Sequence, residues 1–285
     1  MKTTKIHLPP LIFFCLIFFG CSAHILKHHP HLAQRVFEKK LSKSEKQVQK
    51  YPKDRTVLLE ICKNLTQYSY VFVLRQAEIL QDEDFMESRK YRLQANGLFR
   101  KAYEYGLESL EIIHPGFRDS FYRDGGIILK EITKEEIDYL YWIAAALGGM
   151  ISTAKGDPYA IADLPKVGYL IDRALELDEA YEKGSLHEFL ISFTLSRPDA
   201  PPNAIDVAKH HFDRAVELSE GNRASAFVSY AESICILEQN RKEFLVMLDR
   251  ALAVDVNMDR DLKLANIVAQ ERAEWLKERV DDLFF

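Results

Sequence analysis

From residue 33 onward the chain repeats one arrangement, apolar side chains three or four positions apart with charged residues between them. That spacing matches the turn of an α-helix, and period-two alternation of the strand kind is scarce. The pattern predicts about ten helices, over 33–49, 55–81, 84–113, 134–155, 164–177, 179–195, 203–219, 223–238, 241–253 and 260–283. Pro30, Pro52, Pro115, Pro158, Pro165, Pro198, Pro201 and Pro202 fall between these runs or in a first turn, where a missing N–H costs nothing. The fold class is therefore all-α.

Local signals sharpen the ends. Thr133 and Glu136 have the spacing of a capping box, and Asn203 after Pro201-Pro202 is placed to cap the next helix. Gly221 in Ser219-Glu220-Gly221-Asn222 suits a helix end that turns back. Gly125-Gly126 reads as a turn and Gly148-Gly149 as a close helix crossing. Within the helices an apolar step of four and then three positions, ending on alanine, recurs: Ala95, Phe99, Ala102; Val167, Ile171, Ala174; Ala208, Phe212, Ala215; Phe244, Leu248, Ala251. Steps of four and then three keep each triplet on one face. The triplets start 72, 41 and 36 residues apart, near multiples of the tetratricopeptide period or somewhat longer. Tyr51-Pro52-Lys53-Asp54 resembles the turn of a further, degenerate unit. The expectation is an array of stacked helical hairpins, tetratricopeptide-like, closed by a C-terminal capping helix. That last helix carries Leu262, Ala265, Ala269, Leu276, Val280 and Leu283 on one face.

The N-terminus carries a different signal. Lys2 and Lys5 precede an apolar run from Leu11 to Phe19 that ends at Gly20-Cys21. The run is about half the ~20 residues that a membrane-spanning helix needs, so a cleaved signal over 1–20 is expected. Phe18-Phe19-Gly20-Cys21 resembles the bacterial lipobox, with Phe18 and Phe19 departing from the usual Leu and small residue. Cys21 is then the lipidated residue, 21–32 a tether and 33–285 the helical domain. Plain cleavage near Ala23 is the alternative.

Composition narrows the chemistry. With 47% hydrophobic and 28% charged residues, a large core is available. Net charge is −5, and Arg35 to Lys53, the most basic stretch, alternates with apolar and acidic residues, so no nucleic-acid partner is expected. Cys62 and Cys235 lie in apolar helical contexts and read as buried thiols, with a bridge between them left open. His24, His28, His29 and His31 can bind metal loosely, but Pro30 breaks any common helical face and a solvated tether is the simpler reading. His210-His211 divide between an exposed and a packing role. The chain has no nucleophile elbow, phosphate-binding Gly-rich loop, Cys-x-x-Cys or His-Glu-x-x-His motif; no enzyme activity, cofactor or metal site is expected. Pro115 to Lys130, with Phe117, Phe121 and Tyr122, reads as a long connection that either folds onto the array or recognises something. Tyr141 and Trp142 before Ala144-Ala145-Ala146 can line a groove for an apolar small ligand or pack between helices. Asn266, Gln270 and Arg272 beside the last apolar stripe must find partners, in loop carbonyls or in a pocket.

Four segments carry a family resemblance. Tyr141-Trp142-Ile143-Ala144-Ala145-Ala146-Leu147-Gly148 is one, and Leu170-Ile171-Asp172-Arg173-Ala174-Leu175-Glu176-Leu177-Asp178 another. The others are Phe212-Asp213-Arg214-Ala215-Val216-Glu217-Leu218-Ser219 and Leu264-Ala265-Asn266-Ile267-Val268-Ala269-Gln270-Glu271-Arg272-Ala273-Glu274-Trp275-Leu276. Together they resemble the TatT family, tetratricopeptide-like lipoproteins associated with TRAP transporters; Gly149 departs from the aromatic usual there. The resemblance implies a lipid-anchored periplasmic accessory protein that docks a TRAP P-component solute-binding protein, with homo-oligomerisation and with no catalytic residues. The inner face of the outer membrane is the expected location, since Ser22 follows Cys21 where an inner-membrane lipoprotein commonly has Asp. Tyr141, Trp142, Arg173, Arg214, Asn266 and Gln270 are the candidate partner- or ligand-binding residues. A general tetratricopeptide scaffold lipoprotein for envelope assembly is the alternative.

Overall fold

A computed structural model of the chain describes residues 30–285. The signal segment, Cys21 and the tether as far as residue 29 lie outside the described residues. The described chain is helical, without strands, and divides into two compact units, one ending at Tyr181 and one running over Glu182–Phe285.

In the first unit, α1 (Pro30–Lys50) packs through Phe37 and Ser44 on α2 (Arg55–Tyr68). The turn between them ends at Asp54, whose carboxylate accepts from the Thr56 and Val57 amides and starts α2. The sequence predicts one regular helix over 55–81. Instead α2 passes through a π-helical turn, Ser69–Leu74, into α3 (Arg75–Ile79). The long α4 (Phe85–Ile113) is capped by Asp84 and packs on α2 and on α7 (Ile137–Thr153). Two glycines allow that second approach. A Cβ on Gly106 would lie 2.5 Å from the Ile143 side chain, and one on Gly149 would lie 2.6 Å from the Phe99 ring. The crossing expected at Gly148-Gly149 is therefore present at Gly149.

Pro115–Lys130 is helical rather than a loop, forming α5 (Phe117–Arg123) and α6 (Gly125–Ile128). Gly125-Gly126 opens α6 instead of making a turn, and a Cβ at Gly125 would meet the Tyr169 ring at 2.6 Å. Phe117 and Phe121 are buried and stacked, while Tyr122 stays exposed beside Lys166. The Thr133/Glu136 capping box precedes α7, and α8 (Pro158–Ile161) and α9 (Leu164–Leu177) follow, with α9 packing on α7.

The second unit contains α10 (Ser185–Ser196), α11 (Ala204–Leu218), α12 (Ala224–Tyr230), α13 (Arg241–Ala253), α14 (Lys263–Glu278) and α15 (Val280–Leu283). Neighbours in sequence pack on each other from α10 to α14. Helix α10 starts later than its periodicity predicts because Glu182, Lys183 and Gly184 all have positive φ. Asn203 makes no side-chain cap, unlike the expectation for it. Helix α11 ends with Glu220 and Gly221 both left-handed, and the Gly221 N–H reaches the Val216 carbonyl in a Schellman closure. A second π-helical turn, Ala231–Cys235, extends α12.

All twelve triplet positions are buried, the most exposed being Phe212 at 6%. Each fully buried large apolar side chain contributes roughly 1.5–3 kcal/mol relative to exposure. The capping helix is also present. Leu262, Ala265, Ala269 and Leu276 are buried, Val280 and Leu283 pack on the same core, and Phe284 meets Phe244 edge-on at 5.0 Å. Cys62 and Cys235 are free and buried, and burial pushes both thiols up to about 12.

Candidate functional site

Helix α7 is buried on every side, and this decides where Tyr141 and Trp142 lie. Both rings are about 1% exposed and meet edge-to-face at 5.4 Å, and Tyr141 meets Tyr181 in the same manner at 5.3 Å. One turn earlier, Asp138 gathers the polar partners of this cluster. Its carboxylate accepts from Lys63 Nζ at 2.5 Å and from the Tyr181 hydroxyl, while Lys63 also lies 5.7 Å from the Trp142 ring. Lys63 and Asp138 are partly exposed, at 26% and 37%, beside the buried aromatic pair. Reading the sequence missed Asp138, Lys63 and Tyr181; they are 75 and 43 positions apart along the chain and no local motif joins them.

The other four candidates fall into two kinds. Arg173 and Arg214 are partly exposed, and each pairs with the glutamate three residues on, Glu176 and Glu217. Arg173 also donates to the Ile132 carbonyl at 2.9 Å. Asn266 and Gln270 are buried on α14 and bond to backbone. Asn266 accepts from the Ala224 N–H at 2.9 Å and donates to the Asn222 carbonyl at 2.7 Å, fixing the start of α12. Gln270 donates toward the Ala251, Leu252 and Val254 carbonyls, where α13 ends. This is the carbonyl-capping role rather than the pocket-facing one.

Two buried ion pairs complete the polar interior of the second unit. Arg223, 0% exposed, donates to Glu188 at 2.9 Å and to the Glu182 carbonyl. Burial pushes the Glu188 carboxyl above its usual range, and Arg223 and Ser225 pull it back. Arg272 donates twice to one oxygen of Glu232, at 3.1 and 2.6 Å, and its guanidinium lies 4.4 Å from the Trp275 ring. Glu232 belongs to the second π-helical turn. His187 and His211 approach Nδ1 to Nδ1 at 2.9 Å between α10 and α11.

Among the described residues no group of three or more His, Cys, Asp or Glu side chains converges to hold a metal. No described helix is long and apolar enough to cross a membrane. A shallow, open groove of about 600 Å³ runs beside the α1–α2 turn, lined by Tyr51, Pro52, Lys53, Asp54, Arg55 and Ile112. None of the six candidates lines it.

Fold and polar interior together define an all-helical array whose buried polar groups mostly bond to one another or to backbone. Residues 27–284 match the family model of the TRAP transporter T-component, and the chain belongs to that family. The family is one of transporter components rather than of enzymes. A Treponema pallidum (strain Nichols) protein described as uncharacterized is 28% identical over 241 residues, which cover 82% of this chain and 73% of that protein.

Proposed function

We propose that the chain is a lipid-anchored, non-catalytic periplasmic accessory of a TRAP-type transporter that docks the solute-binding P component. The observation that carries this reading is membership of the T-component family over nearly the whole helical region. The buried triplets, each ending on alanine, support hairpins of the tetratricopeptide kind, which offer an extended surface for a partner. Arg173 and Arg214, 23% and 26% exposed, are the two candidates that can meet that partner directly. Tyr141, Trp142, Asn266 and Gln270 hold the helices from within, and an apolar ligand would enter beside the aromatic pair. Gly20-Cys21 supports lipid attachment, at the inner face of the outer membrane, and the accessory works as a homo-oligomer.

The test is affinity capture of the tagged chain from cells that also express a TRAP P component. Co-purification of the P component, weakened by Arg173→Glu and Arg214→Glu together, is the expected result. Capture of intact, folded chain without any P component would overturn the docking role. Separately, Cys21→Ser moves the protein to the soluble fraction if the lipid is its anchor, and unchanged membrane association would remove that part.

A further inference from the structure

Helix α1 has two opposed faces. Phe37, Leu41, Ser44 and Val48 face α2; Phe37 and Ser44 are buried, and Ser44 accepts from Asn64 at 2.7 Å. Arg35, Lys39, Lys43, Lys46 and Lys50 step by four, four, three and four positions. At about 100° per residue they stay within an arc of about 80°, centred opposite the packed face. All five are exposed, and exposed Lys53 and Arg55 continue the charge past the turn. Between residues 35 and 55 there are eight basic and three acidic side chains, in a chain of net charge −5. The three acids are engaged elsewhere: Glu38 bonds Gln34 and Tyr68, Glu45 pairs with Lys101, and Asp54 caps α2.

What marks the stripe is several such cations on one helix face without a carboxylate among them. Lys63, Lys90, Lys101, Lys134, Lys166, Lys209 and Lys277 each contact a carboxylate, whereas no described carboxylate pairs with Lys39, Lys43, Lys46 or Lys53. A row of like charges at such spacing is self-repulsive on an isolated helix. It gains only when an anionic surface lies against it, and that surface must be close, within a Debye length of about 8–10 Å.

The position of α1 identifies the surface. Nine peptide steps separate Cys21 from Pro30, a span of at most about 32 Å, and α1 is itself about 31 Å long. A lipid on Cys21 would hold the helix beside the bilayer with its length available to lie along it. We infer that the outward face of α1 is a docking surface for anionic phospholipid headgroups, acting as a second membrane contact beside the lipid anchor. The inference rests on the Cys21 anchor proposed above. Each basic side chain near an anionic leaflet strengthens the partition by about fivefold.

The test uses the processed protein taken from its own membranes and reconstituted into vesicles of phosphatidylcholine alone, or with 30 mol% phosphatidylglycerol. Insertion into the neutral vesicles reads the anchor. Amine acylation followed by mass spectrometry reads the stripe, with Lys130 and Lys242, both exposed, as internal controls. Labelling of Lys39, Lys43 and Lys46 should fall at least about threefold on the anionic vesicles only, and recover in high salt, since such contacts are screened. In the Lys39→Gln/Lys43→Gln/Lys46→Gln variant, Lys50 should label equally on both vesicles. Equal labelling of the native stripe on both vesicles overturns the proposal, even where insertion shows the anchor to be present. Protection only on adding purified P component also overturns it, by giving the stripe to a protein partner.

Discussion

Lowering the pH should destabilise the second unit through one histidine. His211 is held down to about 4 by burial first, then by the neighbouring His187, His210 and Arg197, against 6.5 when unperturbed. Between those values the unfolded chain takes a proton that the folded chain refuses, so the stability this group provides is present above pH 6.5 and is lost as pH falls toward 4. At 1.36 kcal/mol per pKa unit, acidification from pH 7.5 to 5 costs about 2 kcal/mol, reaching about 3 at pH 4. The geometry agrees with the direction. At 2.9 Å one Nδ1 must donate and the other accept, and a proton on both would set two N–H groups against each other. The assay is urea unfolding at pH 7.5 and 5.0, followed by Trp275 fluorescence in a Trp142→Phe background so that the signal comes from the unit holding His211. With a slope of about 1–3 kcal/mol per molar urea, the midpoint should drop by about 1 M. His211→Gln cannot gain the proton and should lose most of that drop while keeping an amide near His187. An equal pH dependence in both proteins would refute the assignment.

Three substitutions probe the packing. Ala215→Trp should destabilise by about 1–3 kcal/mol, because this fully buried small residue lies so near Gly184 that a Cβ there would stand 3.1 Å from the Ala215 Cα; unchanged thermal stability would remove it from the core. Gly149→Ala should cost about 1–3 kcal/mol, since the new methyl meets a Phe99 ring already held 4.6 Å from Tyr70, and Phe99→Leu in the same chain should recover part of the loss. Asn266→Ala should cost about 2–3 kcal/mol by leaving the Ala224 N–H and the Asn222 carbonyl without their partner, read as a lowered urea midpoint. A neutral Asn266→Ala would mean that water replaces both bonds.

The helices were legible because apolar periodicity and burial are one property read twice. The twelve triplet residues, the Thr133–Glu136 box and the C-terminal cap needed no information beyond neighbours within a turn or two. The π-helical turns at Ser69–Leu74 and Ala231–Cys235 were not legible: an inserted residue leaves composition unchanged and shows only in which carbonyl each amide reaches. Pro115–Lys130 reads as a connection because its helices have only seven and four residues, too few to display a period. The site residues divide by the same logic. Asn266 and Gln270 were recognisable as polar groups on an apolar stripe, but which backbone groups they serve depends on loops 16–44 residues away. Arg223, the most deeply buried charge, lies in a turn sequence, Asn222-Arg223, that looks like ordinary surface.

Arg223 also shows why a buried charge can be retained where an apolar pair would serve stability as well. Replacing both members of a buried ion pair by apolar residues is often neutral or favourable. Here that exchange would strand other groups. Glu182 and Lys183 hold φ of 44° and 55°, a conformation costing about 1–2 kcal/mol per residue outside glycine, and their carbonyls turn toward the Arg223 guanidinium. Gly184 completes the left-handed run and must be glycine twice over, at φ 89° and with Ala215 Cα only 3.1 Å from where a Cβ would stand. The planar fork reaches two carbonyls and the Glu188 carboxylate at once, which a lysine cannot do. One residue on, Asn266 holds the Ala224 amide, so the turn before α10 and the start of α12 are fixed from adjacent positions. The charge is thus retained for the backbone it organises, and the carboxylate is what lets that charge be buried.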